Sequence, residues 1–428
     1  MKLLRPICAI AAALAIAALA GCVTAPPPKP VVPAAPATTE LPPAPPATHP
    51  MLSEEPGFLR LPNIPAGKNP VRVGLLLPFS NGSSQTRYLA TAMMKAAQLA
   101  LFDAGNPNII LIAADEGSTP ESAANGARSL LAQGAEVIVG PLFSASVSAA
   151  APIAHDRAVP VIAFSTDVKT AGNGVYLLSF QPENEVRRTV SYAVQTGHKH
   201  FAALVPPTAY GDHIADAIKT DAAALGADVA DIERLDPANQ AAALHKIAAS
   251  NADVLIVAAG GNTLRELAPA LGENGIDRSK IKLMGTGLWD DPSIQKETAL
   301  EGGWFAAPPP DADASFNTKY KAAFGNDPPQ LATLPYDAVS LVALLSNGEP
   351  YHRFTDAALT DPNGFAGVNG ILRFNADGTS ERGLAILAVE PDGFRVVDPS
   401  PRTFEKPAAP PPEKTTSSLT QQSPQSGG

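Results

Sequence analysis

Cysteine is almost missing from this chain. There are two, Cys8 and Cys22, and both lie before residue 23. The rest of the chain can form no internal disulfide, offers no cysteine nucleophile and builds no thiolate metal site. Aromatic residues are scarce, at 6%, so a core must be packed from aliphatic side chains and the abundant alanine. Basic residues are outnumbered, 31 against 41 acidic. That balance argues against a nucleic-acid partner, whose phosphates need a basic surface. It argues equally against an electrostatic hold on anionic lipid. Beyond the first residues no apolar run reaches the ~20 residues that a membrane-crossing helix needs. Also missing are Gly-x-Ser-x-Gly, His-Glu-x-x-His, the P-loop and Gly-x-Gly-x-x-Gly, so no enzyme class and no cofactor is indicated. His198 and His200 alternate in "GHKHFAAL". A metal pair is one reading of them and a solvated loop is the favoured one.

The opening residues have the layout of a secretory signal. Lys2 and Arg5 form a positive n-region, and Ile7 to Ala20 is apolar and alanine-rich. The ending Leu19-Ala20-Gly21-Cys22 resembles the bacterial lipobox, in which the cysteine is acylated and becomes the mature N-terminus. The resemblance implies a signal over residues 1–21 and a lipid anchor on Cys22. Removing the signal leaves 29 basic against 41 acidic residues. Val23 stands where an inner-membrane retention signal would show Asp, which by resemblance favours the outer membrane of a Gram-negative cell.

Residues 22–69 read as a tether. Prolines recur every few residues in "APPPKPVVPAAPATTELPPAPPATHP", which blocks helices and sheet ladders. Forty such residues reach on the order of 100 Å in polyproline II. Residues 399–428 are low-complexity and read as a disordered tail.

Between these segments strand and helix signals alternate. "VRVGLLLP", "NIILIAAD", "AEVIVGP" and "VPVIAFS" are short apolar runs. The helix between the first two carries Leu89, Met93, Ala96, Ala97 and Ala100 on one face. Thr119-Pro120 is a helix cap followed by proline at the first helical position. The pattern resumes from "HFAALVPP" to "IKLMGTG". Apolar strands alternating with helices predict doubly wound parallel sheets. Two such runs, broken near "LSFQPENEV", predict two lobes. Lobe 1 is expected over 70–182 plus 308–362, and lobe 2 over 183–307 plus 363–398.

Four stretches carry a family resemblance: "RVGLLLPFSN", "EVIVGPLFSASVSAAAPIAHDRAVPVIAFST", "FAALVPPTAYGDHIADAIKTDAAALGADV" and "GFAGVNGILRFNADGTSERGLAILAVEPDGFRVV". In order and spacing they resemble the type I periplasmic solute-binding proteins, the leucine/isoleucine/valine-binding group. The resemblance implies a two-lobed α/β fold with a ligand cleft between the lobes. "GTGLWDDP", "GGWFAAPPP" and "LATLPYDAVSLVALL" look more like one branch, the lipoproteins called penicillin-binding protein activators. That branch implies a peptidoglycan synthase as partner and makes regulation of that synthase the first expectation. The alternative is a receptor that delivers an amino acid or small peptide to an ABC permease. The sequence departs from the transport members after the fourth strand, where Ser165 and Thr166 are adjacent rather than spaced as Ser-x-Thr.

The candidate ligand residues follow from where such sheets bind. Ligands sit beyond the carboxyl ends of parallel strands, where helix N-termini suit anions. Ser144 and Ser146 open a helix there, and Ser165 and Thr166 end the next strand. These hydroxyls can hold an anionic group or simply cap helices. Phe79 and Asn81 follow the first strand into the same crevice. By resemblance Tyr210 places an aromatic against the ligand. Trp289 offers a stacking surface or lobe packing. Asp290 or Asp291 can pair with an ammonium, and Asp291 can equally cap a helix before Pro292. Asp115 reads as a loop-fixing residue.

Overall fold

The computed structural model describes residues 58–61, 70–350 and 352–404. The signal, Cys22, most of the expected tether and residues 405–428 of the expected tail lie outside the described residues. The first sheet comprises β1 (Phe58–Arg60), β2 (Val71–Leu77), β3 (Ile109–Asp115), β4 (Val137–Val139), β5 (Val161–Ala163) and β6 (Val175–Leu177). Its order is β1-β3-β2-β4-β5-β6. All pairs are parallel except β1 with β3. Helices α1 (Ser84–Ala104), α2 (Pro120–Ala132) and α3 (Ser144–His155) connect its strands. Strands this apolar are covered on both faces, which is why their periodicity is continuous rather than alternating. Thr119 caps α2 in a capping box with Ser122, and Pro120 follows it. On α1, Met93, Ala96, Ala97 and Ala100 are buried.

Helix α4 (Pro182–Gln195) opens the second lobe. It is followed by β7 (His200–Val205), α5 (Ala209–Ala224), β8 (Asp228–Arg234), α6 (Gln240–Ala249), β9 (Val254–Val257), α7 (Gly261–Glu273), β10 (Lys282–Gly285) and β11 (Trp304–Ala307). The chain then returns to the first lobe as α8 (Ala314–Phe324), α9 (Thr333–Leu345) and α10 (Asp356–Leu359). Leu334, Ala338, Val342 and Leu359 pack in the same core as Val73, Met93 and Val139. Three short antiparallel strands follow, β12 (Phe365–Gly367), β13 (Gly370–Phe374) and β14 (Ser380–Arg382). Finally β15 (Ala385–Glu390) and β16 (Gly393–Asp398) complete the second sheet, in the order β16-β15-β11-β10-β9-β7-β8. The architecture is thus a two-lobed α/β fold with mixed, mostly parallel sheets.

Three expected boundaries are corrected. The tether is expected to run to residue 69, yet Phe58–Arg60 joins the first sheet antiparallel to β3. Leu59 is buried there, and one apolar residue is enough to seat an edge strand whose backbone is paired. The second lobe is expected to resume at residue 363, yet Leu372 and Phe374 lie in the first lobe's core. The Phe374 ring is 5.4 Å from that of Tyr176, and Leu177 N–H donates to Gly378 C=O. The final crossing therefore follows Arg382. The tail is expected from residue 399, yet the Arg373 guanidinium stacks over the Phe404 ring at 4.5 Å.

Candidate functional site

A cleft of about 600 Å³ opens where the two lobes meet. It lies beyond the carboxyl ends of β5, β7 and β10, as parallel sheets require. Leu89, Leu142, Phe143, Phe164 and Leu334 form the first lobe's wall, and Tyr210, Leu288, Pro308 and Leu384 line it from the other side. The walls are largely apolar, with few charged groups among them, which suits a small organic solute.

The serine-rich approach to α3 already holds a carboxyl group on two of its backbone amides. Glu116, fully buried, reaches it from the end of β3. Its carboxylate accepts from Leu142 N–H at 2.9 Å and Phe143 N–H at 3.0 Å. The Ser146 hydroxyl donates to the same carboxylate. Burial pushes the Glu116 carboxyl above its usual range, and these three donors oppose that. The chain has placed its own acid just ahead of α3, on the amides of Leu142 and of the cap residue Phe143.

The other expected residues divide. Ser144, Ser165, Thr166 and Tyr210 line the cleft. Ser165 also accepts from Asp167 N–H, so capping and lining coexist. Tyr210 shares a 2.8 Å hydrogen bond with Thr286, and burial raises its hydroxyl pKa. Ser146 turns to Glu116 and does not line the cleft. Phe79 packs against the first lobe's core, and Asn81 fixes its own loop by accepting from Ser83 N–H. Trp289 is fully buried in the second lobe's core. Asp291 caps the short helix Pro292–Lys296 by accepting from Ser293 N–H. The expectations for Phe79, Asn81, Ser146, Trp289 and Asp291 as cleft residues are therefore corrected, because each side chain is already committed inside its own lobe. Asp115 fixes the neighbouring loop through Ser80 N–H and Gly117 N–H. His200 pairs with Asp228 at 2.7 Å, at the strand end opposite the cleft. Among the described residues no group of three or more His, Cys, Asp or Glu could hold a metal ion.

Three charged residues of the cleft, Asp167, Glu185 and Arg382, escaped the sequence reading as ligand contacts, and of the two acids offered for an ammonium it is Asp290 that lines the cleft. Glu185 accepts from Gly287 N–H at 2.7 Å, and burial pushes its carboxyl up to about 7. Burial, then Asp313 and Asp291, push Asp290 up to about 6. The signal for Glu185 was available, since "PENEV" puts an acid on a helix turn facing the break between lobes. Arg382 carried no signal, because "SER" on a short strand reads as an exposed turn.

Glu185 yields a pH prediction. Its folded pKa of about 7 exceeds the ordinary 4.5, so between these values the native state holds the extra proton. The associated stability is complete below pH 4.5 and lost as pH rises through 7. Glu185→Gln keeps an acceptor for Gly287 and has no charge to bury. At pH 8 it should be more stable than wild type, by on the order of 2–3 kcal/mol. Urea unfolding from pH 4 to 8 should show a flatter profile in the variant, and an unchanged slope would contradict the burial account.

A family model described as periplasmic binding protein matches residues 70–393. None of the curated proteins compared matches the chain. Solved structures share the fold. A branched-chain amino acid ABC transporter periplasmic ligand-binding protein from Burkholderia xenovorans is 19% identical with a TM-score of 0.61, over 76% of this chain and 94% of that one. An ABC transporter solute-binding protein from Rhodopseudomonas palustris, in complex with 3,4-dihydroxybenzoic acid, is 22% identical with a TM-score of 0.55, over 79% and 98%. A substrate-binding protein from Desulfitobacterium hafniense, in complex with Leu, is 19% identical with a TM-score of 0.56, over 76% and 99%.

Proposed function

Because the chain belongs to the periplasmic binding protein family, we propose that it is a periplasmic receptor that captures a small organic solute and presents it to an ABC permease. The observation that carries this reading is the apolar cleft between the lobes, with ionisable groups spaced along it. Structurally similar proteins hold leucine and a benzoic acid, which sets the size and chemistry of the solutes to try. The receptor is not assigned a catalytic step. Its place in the periplasm is supported by the family, and attachment to the outer membrane through Cys22 is part of the proposal.

A second reading has its own support. The lipobox-like Leu19–Cys22 and the proline-rich stretch after it suit a domain that must reach away from its membrane toward a peptidoglycan synthase. The similar structures are transport proteins, so the receptor reading is placed first. Calorimetry and thermal unfolding of the full chain in detergent, across amino acids and aromatic acids, separate the two. Under the receptor reading at least one solute binds, and at 100 times its Kd it stabilises the fold by about 2.7 kcal/mol. If no solute binds, and removal of residues 31–56 reproduces the wall phenotype of the null, the synthase reading replaces it.

A further inference from the structure

Among the described residues the chain passes between the lobes ahead of α4, after β11 and after β14. Its last described residues then return to the first lobe. β16 ends at Asp398 in the second sheet. Arg188 on α4 fixes that end: its Nη2 donates to Asp398 Oδ2 at 2.5 Å, and its Nε donates to Leu384 C=O at 2.9 Å. Residues 399–404, "PSPRTF", run from there to β13, whose Leu372 and Phe374 lie in the first lobe's core. Phe404 is the far anchor. The Arg373 guanidinium stacks over its ring at 4.5 Å. Glu381 holds that guanidinium in place, accepting from Nε at 2.9 Å and from Nη2 at 2.6 Å.

Two positions without side chains make room for this segment. A Cβ on Gly364 would lie 2.9 Å from the Phe404 ring, and one on Gly383 would lie 3.2 Å from Pro401 Cγ. Gly383 belongs to the passage between β14 and β15. Its neighbours Arg382 and Leu384 both line the cleft. Successive side chains of an extended segment point to opposite sides, so Pro401 lies on the back of that passage, away from the cleft. The segment is also stiff. Pro399 and Pro401 have a fixed φ, and each holds the residue before it, Asp398 and Ser400, in extended backbone. Such a segment has little slack to give.

We propose that residues 399–404 are a strap that limits how far the two lobes close on each other. Lobes joined by a few connecting segments rotate about those segments. A further connection behind the axis is stretched when the mouth of the cleft narrows, and it slackens when the mouth widens. Anchored at Asp398 and at Phe404, the strap therefore resists closure and leaves opening free. Each of residues 399–404 is exposed or half-buried, and a single cation–π contact is a modest hold. Phe404 can thus leave its seat without opening either lobe's core. The strap acts on the angle between the lobes, so the inference stands apart from both readings of what the cleft serves.

The test measures the mouth of the cleft in the full chain, with no solute added. Cys8→Ser and Cys22→Ser remove the native thiols, and Gln85→Cys and Thr263→Cys carry spin labels. Both labelled sites are exposed, in the first turns of α1 and α7, which follow the cleft ends of β2 and β9. Pulsed dipolar spectroscopy reads the distance between them. A chain ending at Phe404 keeps the strap and should match the full chain. A chain ending at Asp398 should shift to shorter distances by more than about 2 Å, the size that marks a rearrangement beyond side-chain adjustment. Phe404→Ala should shift in the same direction, with Tm reporting that each variant is folded. An unchanged or longer distance in the folded chain ending at Asp398 overturns the strap. Shortening there with none in Phe404→Ala overturns Phe404 as the anchor. An equal shortening in the chain ending at Phe404 would assign the effect to residues 405–428 and overturn the strap as well. Should the chain ending at Asp398 not fold, Phe404→Ala decides by the same reading.

Discussion

Trp289→Ala is expected to lower the unfolding free energy by about 3–5 kcal/mol, as truncation of a buried large aromatic does. The side chain is fully buried. It packs with Leu255, Val257, Leu283 and Phe305 in the second lobe's core. Its indole N–H donates to Val257 C=O at 3.1 Å. The ring also occupies space that two glycines leave for it. A Cβ on Gly285 would lie 2.2 Å from the indole, and one on Gly303 would lie 2.7 Å from it. No smaller side chain refills that volume, so the cavity persists. Trp289→Phe should cost less, on the order of 1–3 kcal/mol, since it mainly strands the buried Val257 carbonyl. Denaturant unfolding measures both. Solute affinity in the folded Phe variant should stay within two- to three-fold of wild type, roughly the scatter of such measurements. Affinity lost in that variant at unchanged stability would return Trp289 to the cleft wall.

Glu116→Ala is expected to be of similar size, by a different route. The carboxylate bridges the end of β3 to the approach of α3, accepting from two backbone amides and one hydroxyl. Bonds to an ionised group contribute about 1.5–3 kcal/mol each, and truncation also leaves the buried amides unpaired. The loss should therefore reach about 3 kcal/mol or more. Glu116→Gln keeps one acceptor oxygen and turns its NH₂ toward an N–H, so it should fall between. The alanine variant leaves a helix terminus that favours anions. Added acetate should therefore recover part of the lost Tm, where chloride at equal ionic strength recovers none. A loss below about 0.5 kcal/mol, the range of an ordinary surface substitution, would mean that Glu116 is not the anion this terminus holds.

Trp289 and Glu116 mark where a local reading of residues stops being sufficient. "GTGLWDDP" announces a strand end, an aromatic and two acids, and all three are found there. Which of them meets the cleft depends on how tightly the strand packs its own turn. Gly285 pulls the indole inward, Asp291 is taken by Ser293 N–H, and Asp290 is left to line the cleft. The serines of "PLFSASVS" do open a helix, as their spacing suggests. Their role changes because Glu116, near in space and 26 residues away along the chain from Leu142, is already bonded to that approach.

By itself the sequence determined what neighbours along the chain determine. Apolar runs of strand length, helical faces such as Met93 to Ala100 and the cap at Thr119 are set by steric and hydrogen-bonding rules acting over a few residues. Their alternation dictated two doubly wound lobes and so the place where a cleft must open. The lack of cysteine after Cys22 ruled out internal disulfides and thiolate chemistry in the body before any contact was known. Tertiary structure alone decided which polar groups face that cleft. Arg382 meets Ser179 across 203 residues of sequence, and β1 finds its place only because the edge of β3 is free to pair with it. Such groups are selected by what remains unpaired after each lobe has satisfied its own backbone and buried its own side chains, and that remainder is a property of packing, with no period or spacing in the sequence to announce it.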